Sequence, residues 1–213
     1  MSIGNPAAEG VYNPVPASTV SQLARQLTSV TGLEVGALAA QPASGSVAVN
    51  VQRSGNFFAL AFTFTAARIS VTDGAGSGSH GSLTLFTFNQ AALSFLGARQ
   101  NYTAFAEGAA LTGGAGDAVF EIGIGTTAIS AAADGTLGNG VNENVGQAVS
   151  VTLSGGTGTG TAIDGAKTTA LDGTTTPISL RLNWSGTAAT IDASSTIDVT
   201  GTVTICGVML GDD

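Results

Sequence analysis

Basic residues, cysteine, histidine and tryptophan are nearly missing from this chain, and each shortage excludes something. The six basic residues comprise a single lysine, Lys167, and arginines scattered from Arg25 to Arg181. A phosphate backbone needs clustered cations, so direct nucleic-acid binding is not expected. Anionic membrane surfaces are disfavoured for the same reason. Cys206 is the sole cysteine, which rules out an intrachain disulfide and argues against a secreted scaffold. No apolar run approaches the roughly 20 residues that span a bilayer. The opening MSIGNPAAEG has neither the basic nor the apolar region of a signal peptide, so synthesis in a cytoplasm is expected.

What is present is Gly, Ala, Ser and Thr, with charged residues at only 9% of the chain against about 25% in ordinary soluble domains. Disordered chains combine low hydrophobicity with high charge. Here the mean hydropathy is +0.34 and Val, Ile, Leu and Phe gather in short runs, so the chain is expected to fold. Its 213 residues suit one β-domain with an appendage.

Pro6, Pro14, Pro16 and Pro42 fall in the first 42 of those residues, which reads as an extended arm over residues 1–46. Within it, Thr19-Val20-Ser21-Gln22 has capping-box spacing, and Val20, Leu23, Ala24 and Leu27 recur at helical intervals. A short helix ending before Gly32 is therefore predicted. Its narrow apolar stripe needs a surface to rest on, either the domain or a neighbouring subunit.

Residues 47–213 read as the compact domain, because the period changes to two. Val47, Val49 and Val51 share one face, and Phe58, Leu60, Phe62 and Phe64 line the next strand. There the apolar phase shifts by one to Ala67, Ile69 and Val71, which predicts a bulge. Asn89 is expected to cap a helical turn through Leu93 and Leu96 that stops at Gly97. Further strands are predicted at 119–122, 149–153 and 178–184. The last is predicted through Ile197, Val199, Val203 and Ile205, long enough to lie centrally. Asp73-Gly74, Asp134-Gly135, Asp164-Gly165 and Asp172-Gly173 read as turns. Together these predict an all-β fold, an antiparallel β-sandwich carrying an N-terminal arm with a short helix.

The candidates for chemistry are few. Any triad must use His80, which the flanking glycines place in a solvated loop. Cys206 reads as a small hydrophobe that is at least half-buried. The Gly-Thr run from Ser154 to Thr161 lacks the ending of a phosphate loop. The carboxylate pairs Asp117 with Glu121 and Asp192 with Asp198 are weighed as glycosidase acids, and the extended spacing of the second pair is too wide. Asp164 and Asp172 are weighed as oxygen ligands for calcium at a subunit junction, although their spacing matches no known calcium loop. No cofactor, catalytic residue or metal site is assigned.

The proline-bearing arm, the Gly/Ala/Thr-rich sandwich, the low charge and the ending Thr202-Val203-Thr204-Ile205-Cys206-Gly207-Val208-Met209-Leu210 resemble a capsid decoration, or cement, protein of a tailed bacteriophage. The segment from Ala118 to Ala128 is similar in style to virion proteins of such phages. The resemblance implies a jelly-roll domain, a homotrimer on the capsid exterior, and the major capsid protein as partner. Tyr12, Val20, Leu23 and Leu27 in the arm are the expected interface residues, since exposed apolar side chains gain most from a neighbour. The alternative is a glycan- or receptor-binding module of a phage fibre or bacterial adhesin, using Trp184, Tyr102 and Asn101. Against it, Trp184 is in phase with Ile178, Leu180 and Leu182, as a core residue would be.

Overall fold

The computed structural model describes residues 35–73, 79–88, 92–107, 118–129, 137, 141, 143–154, 157–158, 163–165, 169–172, 176–186 and 195–211. The predicted helix over residues 19–31 and the interface residues Tyr12, Val20, Leu23 and Leu27 lie outside them. The described residues form antiparallel β-structure: β1 (Gly36–Leu38), β2 (Ser46–Ser54), β3 (Phe57–Asp73), β4 (Ser79–Phe88), β5 (Ala92–Glu107), β6 (Ala118–Gly125), β7 (Gly146–Ser154), β8 (Thr157–Gly158), β9 (Ile163–Gly165), β10 (Thr169–Asp172), β11 (Ser179–Gly186) and β12 (Ser195–Gly211). The first paired segment, β1, lies inside the stretch assigned to the arm.

Hydrogen bonding runs in the order β1-β4-β11-β6-β7-β8-β5-β12-β3-β2, and a short β3–β4 pairing joins the path back on itself. The antiparallel expectation is met. Instead of two separately paired sheets, however, one continuous sheet closes into a ring. Two walls of that ring face each other through aromatic side chains. Phe58 and Phe62 of β3 meet Phe88 and Phe86 of β4 at 5.4 and 6.3 Å between ring centroids. Phe105 of β5 meets Trp184 of β11 at 5.8 Å. Such pairs add about 0.5–1.5 kcal/mol beyond the area they bury.

β12 is the spine. It pairs with β3 on one side and β5 on the other, and its inward residues Ile197, Val199, Gly201, Val203, Ile205, Gly207 and Met209 keep one phase throughout. Its neighbours bulge to follow it. In β3, Thr65 and Ala66 together oppose Thr200. Ala66 adopts φ 47°, and its N–H donates to Thr200 Oγ1 at 3.1 Å. That extra residue is the predicted phase shift: Phe58, Leu60, Phe62 and Phe64 are buried before it, Ala67, Ile69 and Val71 after it.

β5 corrects the helical turn expected from Asn89 to Gly97. The register skips at Leu96 and again at Thr103, so the inward set runs Leu93, Phe95, then Ala98, Gln100, Tyr102, then Phe105. A bulge shifts the period-two pattern by one residue, which gave Leu93 and Leu96 the look of helical spacing. Leu96 itself faces solvent.

One polar chain crosses the interior. Tyr102 Oη donates to Gln100 Oε1 at 2.8 Å, and Gln100 Nε2 donates to the Gln147 carbonyl of β7 at 2.6 Å. This ties β5 to β7. Burial raises the Tyr102 phenol above its ordinary value, because the low-dielectric interior disfavours the phenolate.

Candidate assembly surface

The solvent face of the β2–β3–β12–β5 wall is built mainly from short side chains, with Arg99 of β5 standing exposed opposite Thr204. Ala48 pairs with Thr63, Thr63 with Thr202, and Thr202 with Asn101, making one cross-strand row. All four are exposed. At one margin Arg68 forms a two-pronged ion pair with Asp198, at 2.7 and 2.8 Å. Asp198 holds the Arg68 guanidinium even more firmly protonated than usual, through this hydrogen bond and its charge.

The wall becomes apolar toward the β2–β3 hairpin. Phe57, Leu96 and Leu210 are 60%, 45% and 59% exposed. Phe57, Ala59, Leu96 and Cys206 line an open groove of about 360 Å³ together with the polar Gln52, Arg53 and Ser54. Cys206 is exposed, contrary to the expectation of a half-buried hydrophobe. It occupies an outward position of β12, between Thr204 and Val208. The alternating Thr202–Leu210 pattern carried that information, but the apolar neighbours masked it.

The opposite wall has a second layer on its outer side, held to it by polar side chains of β6 and β11. Residues linking β6 to β7 return over β6 and β11: the Ile129 N–H donates to Asn183 Oδ1 at 3.3 Å and the Leu137 N–H to Glu121 Oε2 at 2.8 Å. Ile129, Leu137 and Val145 are buried there. Sequence reading missed this layer, since its apolar residues stand singly among Gly, Asn and Ala.

His80 corrects the solvated-loop expectation. It lies within β4, opposite Thr72 of β3 and Ser185 of β11, and Ser185 in turn opposes Glu121. Histidine, serine and carboxylate thus share one cross-strand row. In a triad one imidazole nitrogen contacts the serine hydroxyl and the other is oriented by a carboxylate. His80 Nδ1 is buried without a hydrogen bond, so no carboxylate orients it from that side, and Ser185 is 1% exposed. Of the carboxylates weighed earlier, Asp198 is committed to Arg68 and Glu121 to the Leu137 amide, while Asp117 and Asp192 lie outside the described residues.

Asp164 and Asp172 occupy strands instead of turns. Asp164 opposes Arg99 and Asp172 opposes Ala92 on the same strand β5, about 20 Å apart at the usual strand rise. Trp184 and Tyr102 are both fully buried, so only Asn101 of the expected glycan-contacting set reaches solvent. Trp184 packs on Phe120 at 4.7 Å.

No family model and no curated protein matches the chain. Among solved structures, one from infectious bursal disease virus, Gx strain, is similar over 78% of this chain at 13% identity, with a TM-score of 0.26. This chain spans 32% of that chain's length, and a likeness this distant carries no argument about function.

Proposed function

We propose that the chain is a structural virion protein, a decoration or cement protein seated on the capsid exterior of a tailed phage, where it reinforces contacts between major capsid subunits. The two facing walls correspond to the sheets of a jelly roll in this reading, and the working form is a homotrimer. Neither nucleic acid nor membrane is a partner.

The observation that carries the proposal is the Thr/Ala/Asn wall running into the apolar Phe57–Leu96–Leu210 end. Short uncharged side chains lose little rotamer entropy on being ordered. Such a wall can be buried in many repeated contacts, with a few exposed apolar residues supplying most of the affinity. The acidic balance, a net charge of -8, keeps the protein off packaged nucleic acid. The glycan-binding alternative is weakened by the burial of its two aromatic residues.

The test combines solution mass with capsid binding. Light scattering, with and without a chelator, is expected to give a chelator-resistant trimer. Co-sedimentation with shells lacking a decoration protein is expected to show saturable binding that raises the shells' melting temperature. Absence of binding to such shells, alongside saturable retention on a glycan array, would overturn the reading in favour of the binding module.

A further inference from the structure

The ring has two narrow joints among the described residues. One is β8, whose Thr157 and Gly158 link β7 to β5 through two residue pairs on each side. The other is the β3–β4 seam, where Val71 pairs with Gly81, Thr72 with His80 and Asp73 with Ser79. The β8 joint is reinforced from inside: Gln100 of β5 donates directly to the Gln147 carbonyl of β7 at 2.6 Å, and Phe105 and Leu153 are buried beside it. At the seam, Val71 is the one apolar side chain in the three pairs.

Four buried side-chain polar atoms among the described residues have no hydrogen-bond partner: Ser79 Oγ, His80 Nδ1, Ser82 Oγ and Trp184 Nε1. Three belong to the first four residues of β4, and Trp184 is the β11 partner of Gly81. All four therefore gather at the seam, two on each face of the sheet. Ser79 and Trp184 point inward, 1% and 0% exposed. A Cβ on Gly186 would lie 2.5 Å from both Ser79 Oγ and the Phe120 ring, which places that hydroxyl against an aromatic edge. His80 and Ser82 alternate onto the other face. Buried polar groups nearly always find partners, so four orphans together favour any state in which water reaches them.

Parting the seam costs few other contacts. β3 stays paired with β12, from Val71 with Ser195 onward, and β4 stays paired with β11 across Ser79–Gly186, His80–Ser185 and Gly81–Trp184. The closed seam also depends on a missing side chain, since a Cβ on Gly81 would lie 2.5 Å from the Ser70 carbonyl oxygen and 2.9 Å from Ile69 Cγ2.

We propose that the β3–β4 seam is the clasp of the ring: it opens and recloses while both walls stay folded, and the open state admits water to Ser79, His80, Ser82 and Trp184. The device belongs to the fold and stands apart from the virion reading.

Hydrogen exchange followed by NMR on the full chain tests it. Trp184 is the only tryptophan, so its indole N–H gives a single signal. That indole and the amides bonded across the seam are expected to exchange roughly a hundredfold faster than the Val203 and Ile205 amides of β12, at rates insensitive to low denaturant. Thr72→Cys with His80→Cys and Cys206→Ser locks the clasp, because directly opposed residues have Cα atoms about 4.5–5.5 Å apart, within disulfide reach. Oxidation should slow both signals at least about tenfold, and reduction should restore them. Ser79→Ala takes one orphan out of the closed state and should slow them about threefold or more; it carries the test if the cysteine variant loses its β signal in circular dichroism. Gly81→Ala should speed them and leave the β12 amides unchanged. Seam amides as slow as those of Val203 and Ile205, or rates indifferent to the crosslink, would overturn the proposal. So would faster exchange in Ser79→Ala, which would mean that a bound water holds this hydroxyl in the closed ring.

Discussion

Replacing Tyr102 with Phe keeps the ring against Phe64 and Phe105 and removes one hydroxyl. Gln100 Oε1 then loses the donor at 2.8 Å inside a fully buried residue. An orphaned buried acceptor costs about 1–3 kcal/mol, or about 2–12 °C in melting temperature for a domain of this size. The phenol adds a pH signature. Its folded-state value lies above the ordinary 10.0, so below that pH both states keep the proton and the Tyr102 contribution is fully present. As the pH rises through 10.0 only the unfolded chain ionises, and stability declines. Thermal melts from pH 7 to 11 should therefore show wild type losing its advantage over Tyr102→Phe as alkalinity increases. Tyrosinate absorbance should show one of the two tyrosines ionising only on unfolding. Adding Gln100→Leu to Tyr102→Phe removes the orphaned oxygen but also the donor to the Gln147 carbonyl, so the effects of the two changes should couple instead of adding. A Tyr102→Phe variant that melts at or above wild type at pH 7, or shows the same alkaline decline, would refute the account of this network.

Gly201 has φ 155°, and a Cβ there would overlap the Asn101 carbonyl while lying 2.7 Å from Tyr102 Cα. Gly201→Ala is expected to cost at least about 2 kcal/mol, measured by denaturant midpoint; a neutral result would mean that β12 and β5 are not held this closely. Cys206 should react with a thiol reagent in the native state at a rate little changed by denaturant, and protection until unfolding would contradict its outward placement. Trp184 should emit at short wavelength, resist acrylamide quenching and ignore added glycans, whereas ready quenching would show that the β11 core position is wrong.

The apolar alternation of Phe58 to Phe64, its phase slip and the central position of the last strand were legible because each rests on period two and one hydrophobic face. The strand at Leu93 to Tyr102 was not, since two bulges scramble its alternation and place a buried Gln100 in the inward set. His80 was misplaced for a different reason. The run Ser79 to Ser82 contains no apolar residue, and it is held in the sheet by its β3 and β11 partners, Val71–Asp73 and Asn183–Gly186. Glycines that read as loop signals serve here as places where strands approach closely. Ring closure itself has no local sequence signal, because the β3–β4 seam involves only Val71–Asp73 against Ser79–Gly81.

The place of β12 between β3 and β5 also governs the order in which the fold can be made. Chain growth delivers β3 and β5 long before Ser195–Gly211, and until that segment arrives both flanking strands expose long apolar edges to every other nascent chain. Non-local pairing of this kind folds slowly. A ribosome stalled before residue 195 therefore yields a sticky half-sheet instead of a smaller stable domain, exposed until the last long strand slides into place.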